Sequence, residues 1–456
     1  MSDRNAECQS QQHRKLLARR ARRVAAVDFF NLLTGPELLE VTEAHLPGHR
    51  ERLYPPTVVL SMFMQQALNA DGSCQKAVNG WAAQRAAEGL GVQSVRTGAY
   101  CRARQRLPVS MVTALTHATG RLLSARAKTG WRWRGRTVKL VDGTGISMPD
   151  TPENQACYPQ PSSQAEGVGF PLARLVGVMC LATGALLDAA IGPHAGKGSS
   201  EVGLLRSLGN AFSPGDVMLA DALYCNYFLI ATLVGAGVDV LFEQNGARIT
   251  DFRRGESLGK RDHLVRWPKP KTRPHWMTAA QYDTFAAELT VREVKVDGQV
   301  LVTSLLDHRK VRKSELDRLY ARRWNVELDL RNLKTTLGMD VLRCQTPHMV
   351  EKELWVHLLA YNLIRRLMAQ AALEADLHPR ELSLKHAVQL WTEWTARRVD
   401  FNTDATSLFR LIAQPIVGNR PGRIEPRARK RRPKPYPWFK VPRAEARDNI
   451  RAYGHL

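Results

Sequence analysis

The sequence predicts an α/β protein with a central mixed sheet, preceded by an all-helical region and followed by further helices and a basic tail. Three observations predict it. From Trp131 the pattern runs strand, hairpin, helix, strand, helix, strand, the alternation of a mixed sheet with helices packed on it. Residues 28–126 instead keep apolar residues at helical spacing throughout. The 456-residue chain also combines 44% apolar residues with a net charge of +23. That is enough for a large core, with a surface suited to a long polyanion; an anionic membrane surface is the second reading.

Taken in order, residues 1–27 hold Arg14, Lys15, Arg19, Arg20, Arg22 and Arg23. They read either as an arm along DNA phosphates or as a frayed, solvated terminus. Val24–Val27 runs straight into Asp28, too short an apolar run for a signal peptide. Helices are expected over Phe29–Val41, Val58–Leu68 and Gln75–Glu88, the last capped by Ser73. A Gly-containing turn at Glu88–Gln93 leads into Val95–Leu107, which carries Arg96, Arg102, Arg104 and Arg106 and is closed by Pro108. Helix, short turn, Arg-rich helix is the outline of a helix-turn-helix. Any basic helical hairpin shares that outline, so DNA contact by Arg102, Arg104 and Arg106 leans on the overall charge.

Strands follow. Arg136–Val141 ends in Asp142-Gly-Thr, and Leu175–Leu181 with Ala185–Ile191 make a hairpin across Thr183-Gly184. Glu201–Leu208 reads as a helix capped by Ser199 or Ser200, and Val217–Ala220 as a strand that delivers Asp221. Tyr227–Val234 is helical and Val238–Phe242 a strand. Residues 243–300 break the rhythm with basic residues, prolines, Trp267 and Trp276, yet Leu289–Val296 alternates as a strand should. They read as an insertion with some β structure, after which Val300–Leu306 restores the sheet. Helices are expected from Lys313, over Lys352–Ala375 as core, and over Ser383–Glu393. The tail Arg420–Arg443 interleaves Arg and Lys with prolines and cannot build a core. It reads as nucleic-acid contact, anchored by Tyr436, Trp438 and Phe439, or as a solvated tail. No apolar run is long enough to span a bilayer. The seven cysteines show no CxxC pair, which argues against structural zinc and a disulfide framework and fits a reducing cytoplasm.

The chemistry is expected around Tyr320–Lys334, a stretch without Gly or Pro. At helical spacing, Tyr320, Arg323, Glu327, Arg331 and Lys334 fall within a sector of about 80°, beside an apolar stripe of Leu319, Val326, Leu330 and Leu333. One carboxylate flanked by phenol, guanidinium and ammonium suits a metal beside a phosphate. The bland alternative is a solvated face with Glu327–Arg331 pairs. A single carboxylate cannot hold a metal pair. Asp142 and Asp221 each end an expected strand, the edge where open α/β sheets bind ligands, although Asp also forms turns there. Asp150, Asp188, Asp216 and Asp239 are set aside by position. With Glu327, the set could hold two divalent ions roughly 4 Å apart.

Tyr320-x2-Arg323-x3-Glu327-x6-Lys334 resembles the Tyr-Arg-Glu-Lys signature of bacterial insertion-sequence transposases of the IS-four family. Leu140-Val-Asp-Gly-Thr, Leu219-Ala-Asp-Ala-Leu-Tyr-Cys, Leu301-Val-Thr-Ser-Leu-Leu, Tyr100-Cys-Arg-Ala-Arg-Gln-Arg-Leu-Pro and Arg431-Arg-Pro-Lys-Pro-Tyr-Pro look like that family as well. After the second acid the chain departs from it, with Ala222-Leu223 where relatives often have Arg-Gly.

The resemblance implies an RNase H-like mixed sheet with helices on both faces, interrupted by a mostly β insertion. It implies a DDE triad of Asp142, Asp221 and Glu327 binding two Mg²⁺ ions, with Mn²⁺ able to substitute. Tyr320, Arg323 and Lys334 would contact phosphates near the cleaved end, and Arg331 lies on the same helix. The expected activity is cut-and-paste transposition on double-stranded DNA, both terminal inverted repeats and target. A homodimer would carry it out in the bacterial cytoplasm, associated with the nucleoid and not with a membrane. Relatives flip a base onto an aromatic side chain of the insertion. Trp267 and Trp276 stand in that stretch, each readable also as a core or surface residue. The alternatives are a metal-dependent nuclease or resolvase of the same fold, and a DNA-binding protein that has lost catalysis. The expected division is an arm at 1–27, a helical DNA-binding domain at 28–130 and a catalytic domain at 131–345 with its insertion at about 243–300. C-terminal helices at 346–419 and a basic Pro-rich tail at 420–456 follow.

Overall fold

The computed structural model describes Lys15 and residues 28–46, 48–49, 53–196, 199–397, 405–414, 417 and 441–454. The expected basic arm (Lys15 apart) and the basic stretch 420–440, with Tyr436, Trp438 and Phe439, lie outside the described residues. The chain forms two compact units. One comprises 1–123, 147–171 and 332–456, and the other 124–146 and 172–331.

The first unit is helical. Asp28 caps Phe29–Thr34 through the Phe30 N–H, and Pro36 restarts the chain as Pro36–Ala44. The single helix expected over Phe29–Val41 is therefore two, because proline has no N–H to continue the first and is well placed at the first position of the second. Pro56–Leu68, Cys74–Ala87, Gly98–Arg106 and Val109–Ala125 follow, with Ser73 accepting from the Lys76 N–H as its position predicts. The connection from Ala87 to Gly98 is longer than the three or four residues of a helix-turn-helix, so that motif is not what the arginines are mounted on.

Pro347–Glu374 is the hub of this unit, buried over most of its length. Its buried polar residues are largely matched. Lys352 Nζ donates to the Arg104 and Gln105 carbonyls at 3.0 and 2.8 Å, neutralising the C-terminal end of Gly98–Arg106. Glu353 accepts from the Arg343 and Cys344 N–H groups. His357 differs: it is buried, and among the described residues its Nδ1 has no hydrogen-bond partner. Burial, reinforced by nearby Arg343, pushes its pKa down to about 4. The folded chain thus holds it neutral while the unfolded chain protonates it near pH 6.5. The stability tied to this group is present above pH 6.5 and is lost as pH falls from there towards 4, on the order of 3 kcal/mol. Urea titrations at pH 7 and 4.5 should show His357→Gln losing about 2–3 kcal/mol less than wild type between the two. Equal losses would contradict this.

The second unit is built on one nine-stranded sheet. Its strands are β1 (Val138–Ser147), β2 (Leu172–Cys180), β3 (Leu186–Pro193), β4 (Val217–Ala220), β5 (Asp239–Glu243), β6 (Glu256–Gly259), β7 (Asp262–Pro268), β8 (Glu288–Val296) and β9 (Gln299–Thr303). They lie in the order β3-β2-β1-β4-β5-β9-β8-β7-β6. The β2–β3 hairpin turns at Gly184, whose φ of +73° is a conformation only glycine adopts freely. β1, β4 and β5 are parallel, the RNase H-like arrangement, and β4 is fully buried as a central parallel strand should be. β9, the strand expected to restore the sheet, pairs antiparallel with β5, and the β structure of the insertion, β8, β7 and β6, extends the same sheet. Among the described residues, no helix is long and apolar enough to cross a membrane.

Candidate active site

All three expected acids belong to the second unit. β1 does not end before Asp142 as expected but runs on to Ser147, so Asp142 stands inside it. The β1–β4 register pairs Val138 with Val217 and Leu140 with Leu219. Asp142 lies two residues beyond Leu140 within β1, and Asp221 is the residue that follows β4, so both stand at the same end of two adjacent parallel strands. β4 stops at Ala220, and Asp221 turns the chain by accepting from the Leu223 N–H at 2.9 Å. The side chain that was readable as a turn former is therefore both a turn former and Asp142's neighbour.

Asp142 accepts from the Gly143 N–H at 2.8 Å. Its carboxyl is pushed up to about 6, first by burial and then by the charges of Asp221 and Glu201, with the Gly143 N–H and Arg323 opposing. Like charges packed together out of water destabilise one another unless a cation joins them, and such clusters mark functional sites.

The segment carrying Glu327 is not the uniform helix expected. Lys313–Ala321 gives way to a 3-10 turn at Arg322–Trp324, then to Asn325–Arg331, then to a π turn at Asn332–Thr336. The apolar stripe behaves as expected, with Leu319, Val326, Leu330 and Leu333 all buried. The polar sector does not present one face. Tyr320 is buried, its hydroxyl 3.4 Å from Glu243 Oε2, and burial keeps the phenol protonated far above its ordinary pKa. Arg323 donates to Glu327 Oε1 at 3.2 Å, both half-buried, and lies within electrostatic reach of Asp142. Arg331 is exposed, and Lys334 sits in the π turn, within the first unit.

Among the described residues, no three carboxylate, imidazole or thiol groups already converge as a finished metal cage. The donor chemistry nonetheless fits a hard divalent cation: carboxylate oxygens only, crowded enough to raise Asp142, with Arg323 supplying positive charge at Glu327.

The acids set aside by position have structural partners. Asp216 pairs with Lys139, Asp239 with Arg136 and Asp150 with Arg443, while Asp188 accepts from the Ala189 N–H. Two expectations are corrected. Arg104 is buried under the Phe63 ring, donating to Gln66 Oε1, Cys74 Sγ and Cys344 Sγ at 3.0, 3.2 and 3.2 Å, and so has no guanidinium edge to offer DNA. Arg102 and Arg106 are exposed. Trp267 is 2% exposed, donates to Glu293 and lies beneath Arg248, so no base can stack on it. Trp276 is 40% exposed, with Arg206 4.0 Å from its ring centroid.

Three residues escaped sequence reasoning. Glu201 and Glu243 carry no signal, since an acid opening a helix or closing a strand is ordinary. Tyr224 is fully buried beside the acids, its phenol pushed far up by burial, Glu201, Asp142 and Asp221.

A family model described as a transposase DDE domain matches residues 133–363. The transposase InsG of insertion sequence element IS4 from Escherichia coli K12 is 30% identical over 358 residues, covering 75% of this chain and 78% of that protein. A cryo-EM structure of the piggyBac transposase synaptic complex with hairpin DNA covers 87% of this chain and 85% of its own, at a TM-score of 0.42 and 10% identity. That likeness is too loose to carry weight.

Proposed function

The chain belongs to the family of DDE transposases, and on that premise we propose that it moves its own insertion sequence by cut-and-paste, as a homodimer acting on the terminal inverted repeats and on target DNA. It is a DNA-cleaving and strand-transfer enzyme of a divalent-metal-dependent family. Asp142, Asp221 and Glu327 are assigned as the triad, holding two Mg²⁺ ions or Mn²⁺ in their place. What supports the assignment is one juxtaposition: Asp142 in β1 and Asp221 just after the parallel neighbour β4 act on one another electrostatically, with the Arg323–Glu327 pair within reach of the first. Bound there, the cations supply Lewis acidity towards the scissile phosphodiester.

The protein's own groups do the rest. Arg323, which donates to Glu327 Oε1 through one N–H, would grip phosphate oxygens with its remaining N–H groups. Tyr320, held protonated, is a donor at its rim, and Arg331 and Lys334 add positive charge along the same segment. The oxygen of water attacks phosphorus and the P–O3′ bond breaks, leaving a 3′-OH and a 5′-phosphate. The 3′-OH then attacks a target phosphorus and displaces a second 3′ oxygen, so that one bond forms for each broken. By the same reading the enzyme works in the bacterial cytoplasm, on nucleoid DNA.

The test is strand transfer on a labelled end duplex with Mg²⁺, comparing wild type with Glu327→Ala. Joined products from wild type alone are expected. Cleavage without joining would point to a nuclease or resolvase, and binding without cleavage by either protein to a non-catalytic binder. The helical unit is assigned to DNA through exposed Arg102 and Arg106. Arg102→Ala and Arg106→Ala should each lower the slope of log affinity against log salt by about 1, while leaving sequence preference unchanged. Gel-shift titrations across salt concentrations read this directly, and an unchanged slope would remove the residue from the interface.

A further inference from the structure

We propose that Glu201 is a fourth carboxylate of the catalytic centre, binding divalent cation together with Asp142 and Asp221. The inference rests on the triad assignment above and adds a residue to it.

The first observation is steric. Glu201 opens the short helix Glu201–Leu205, and its carboxyl group lies against the backbone of Gly143, the residue after Asp142. A Cβ at Gly143 would stand 2.3 Å from Glu201 Cδ and 2.6 Å from each of its oxygens. No other residue type at 143 leaves room for the carboxylate where it is. Glycine here serves a close approach, not a turn.

The second observation is how the carboxylate is held. Tyr224 donates its hydroxyl hydrogen to Glu201 Oε2 at 3.2 Å, and Arg174 Nε lies 3.8 Å from Oε1, too far for a hydrogen bond. Arg174 donates instead to the Ser199 carbonyl at 2.8 Å. One oxygen is oriented by a buried phenol, and the other keeps its lone pairs beside Asp142.

The third is its company. Tyr224, fully buried, lies within electrostatic reach of Glu201, Asp142 and Asp221 together. Glu243 lies by the Tyr320 hydroxyl, whereas the Glu201 carboxyl lies against Gly143, the residue next to Asp142. Three carboxylates around one neutral phenol repel one another until a cation is bound, and added ligand charge is what strengthens cation binding.

The test is Mn²⁺ binding to the full-length protein without DNA, read from the EPR signal of free Mn²⁺, for wild type, Glu201→Gln, Gly143→Ala and Asp142→Asn. Glu201→Gln keeps an acceptor for Tyr224 but removes the charge, and should weaken Mn²⁺ binding about tenfold. Its urea midpoint should match wild type, and its metal-free affinity for an end duplex should hold or rise, since a negative charge is removed. Gly143→Ala, which displaces the carboxylate without removing it, should weaken Mn²⁺ in the same direction and decides the matter if Glu201→Gln proves unstable. Unchanged Mn²⁺ affinity in these variants, with weakening in Asp142→Asn, would overturn the role of Glu201 and leave the triad standing. Unchanged affinity in all three would overturn both.

Discussion

Asp142→Asn is expected to reduce end cleavage and strand transfer by at least about 10³-fold, some 4 kcal/mol of transition-state stabilisation, while the protein still folds and still binds end DNA. Asparagine keeps the shape of the side chain and an oxygen for the Gly143 N–H, so the strand is undisturbed. What it removes is a negative charge within the acid cluster, where burial and then the charges of Asp221 and Glu201 raise Asp142. Without that charge the site has less with which to hold a cation. Removing it also relieves repulsion towards phosphate, so DNA affinity should hold or rise. Single-turnover cleavage and gel shift on the same duplex measure both sides. Cleavage within tenfold of wild type would remove Asp142 from the triad, and a parallel loss of binding would mean that the strand had been damaged.

Asp262→Ala should destabilise the second unit by about 3–5 kcal/mol, the cost of leaving a buried charge without its partner. Arg292 is 0% exposed. It makes a bidentate pair with Asp262 at 2.8 and 2.6 Å, and its remaining Nη1 donates to the Val311 carbonyl at 2.7 Å. On the neighbouring cross-strand pair, Glu293 accepts from Trp267 and bonds His263, whose Nδ1 meets the Arg254 carbonyl. Every group of this network has a partner, and that is what makes losing one expensive. The double variant Asp262→Leu with Arg292→Leu should be less destabilised than Asp262→Ala, because it buries no orphan charge. Urea unfolding followed by Trp267 fluorescence reads the effect. A loss below about 1 kcal/mol would mean that water reaches the guanidinium.

The sheet was largely legible because its strands are short β-rich runs bounded by turn residues. β4 falls on Val217–Ala220 as expected, and Gly184 turns the β2–β3 hairpin. The apolar stripe of the Glu327 segment was legible for the same kind of reason: periodicity records which side must leave water. Its polar stripe was less so. The 3-10 and π turns at Arg322–Trp324 and Asn332–Thr336 change the angle per residue, and a projection at constant pitch cannot anticipate them. Arg104 misled because charge is visible in a sequence and burial is not. Its guanidinium is enclosed by Phe63, Gln66, Cys74 and Cys344, which arrive from distant parts of the chain.

By itself the sequence determined the alternation of elements, the helical start, three acids to be weighed as candidates and the basic charge that calls for a polyanion. All of these follow from local pattern and residue chemistry. Only the tertiary structure decided that Asp142 and Asp221 come to the same end of adjacent parallel strands, that β9 and β8 carry the sheet beyond β5, and that the Glu201 carboxyl lies against Gly143. Strand register and close approach are set by how distant segments pack against one another. No spacing along the chain records that.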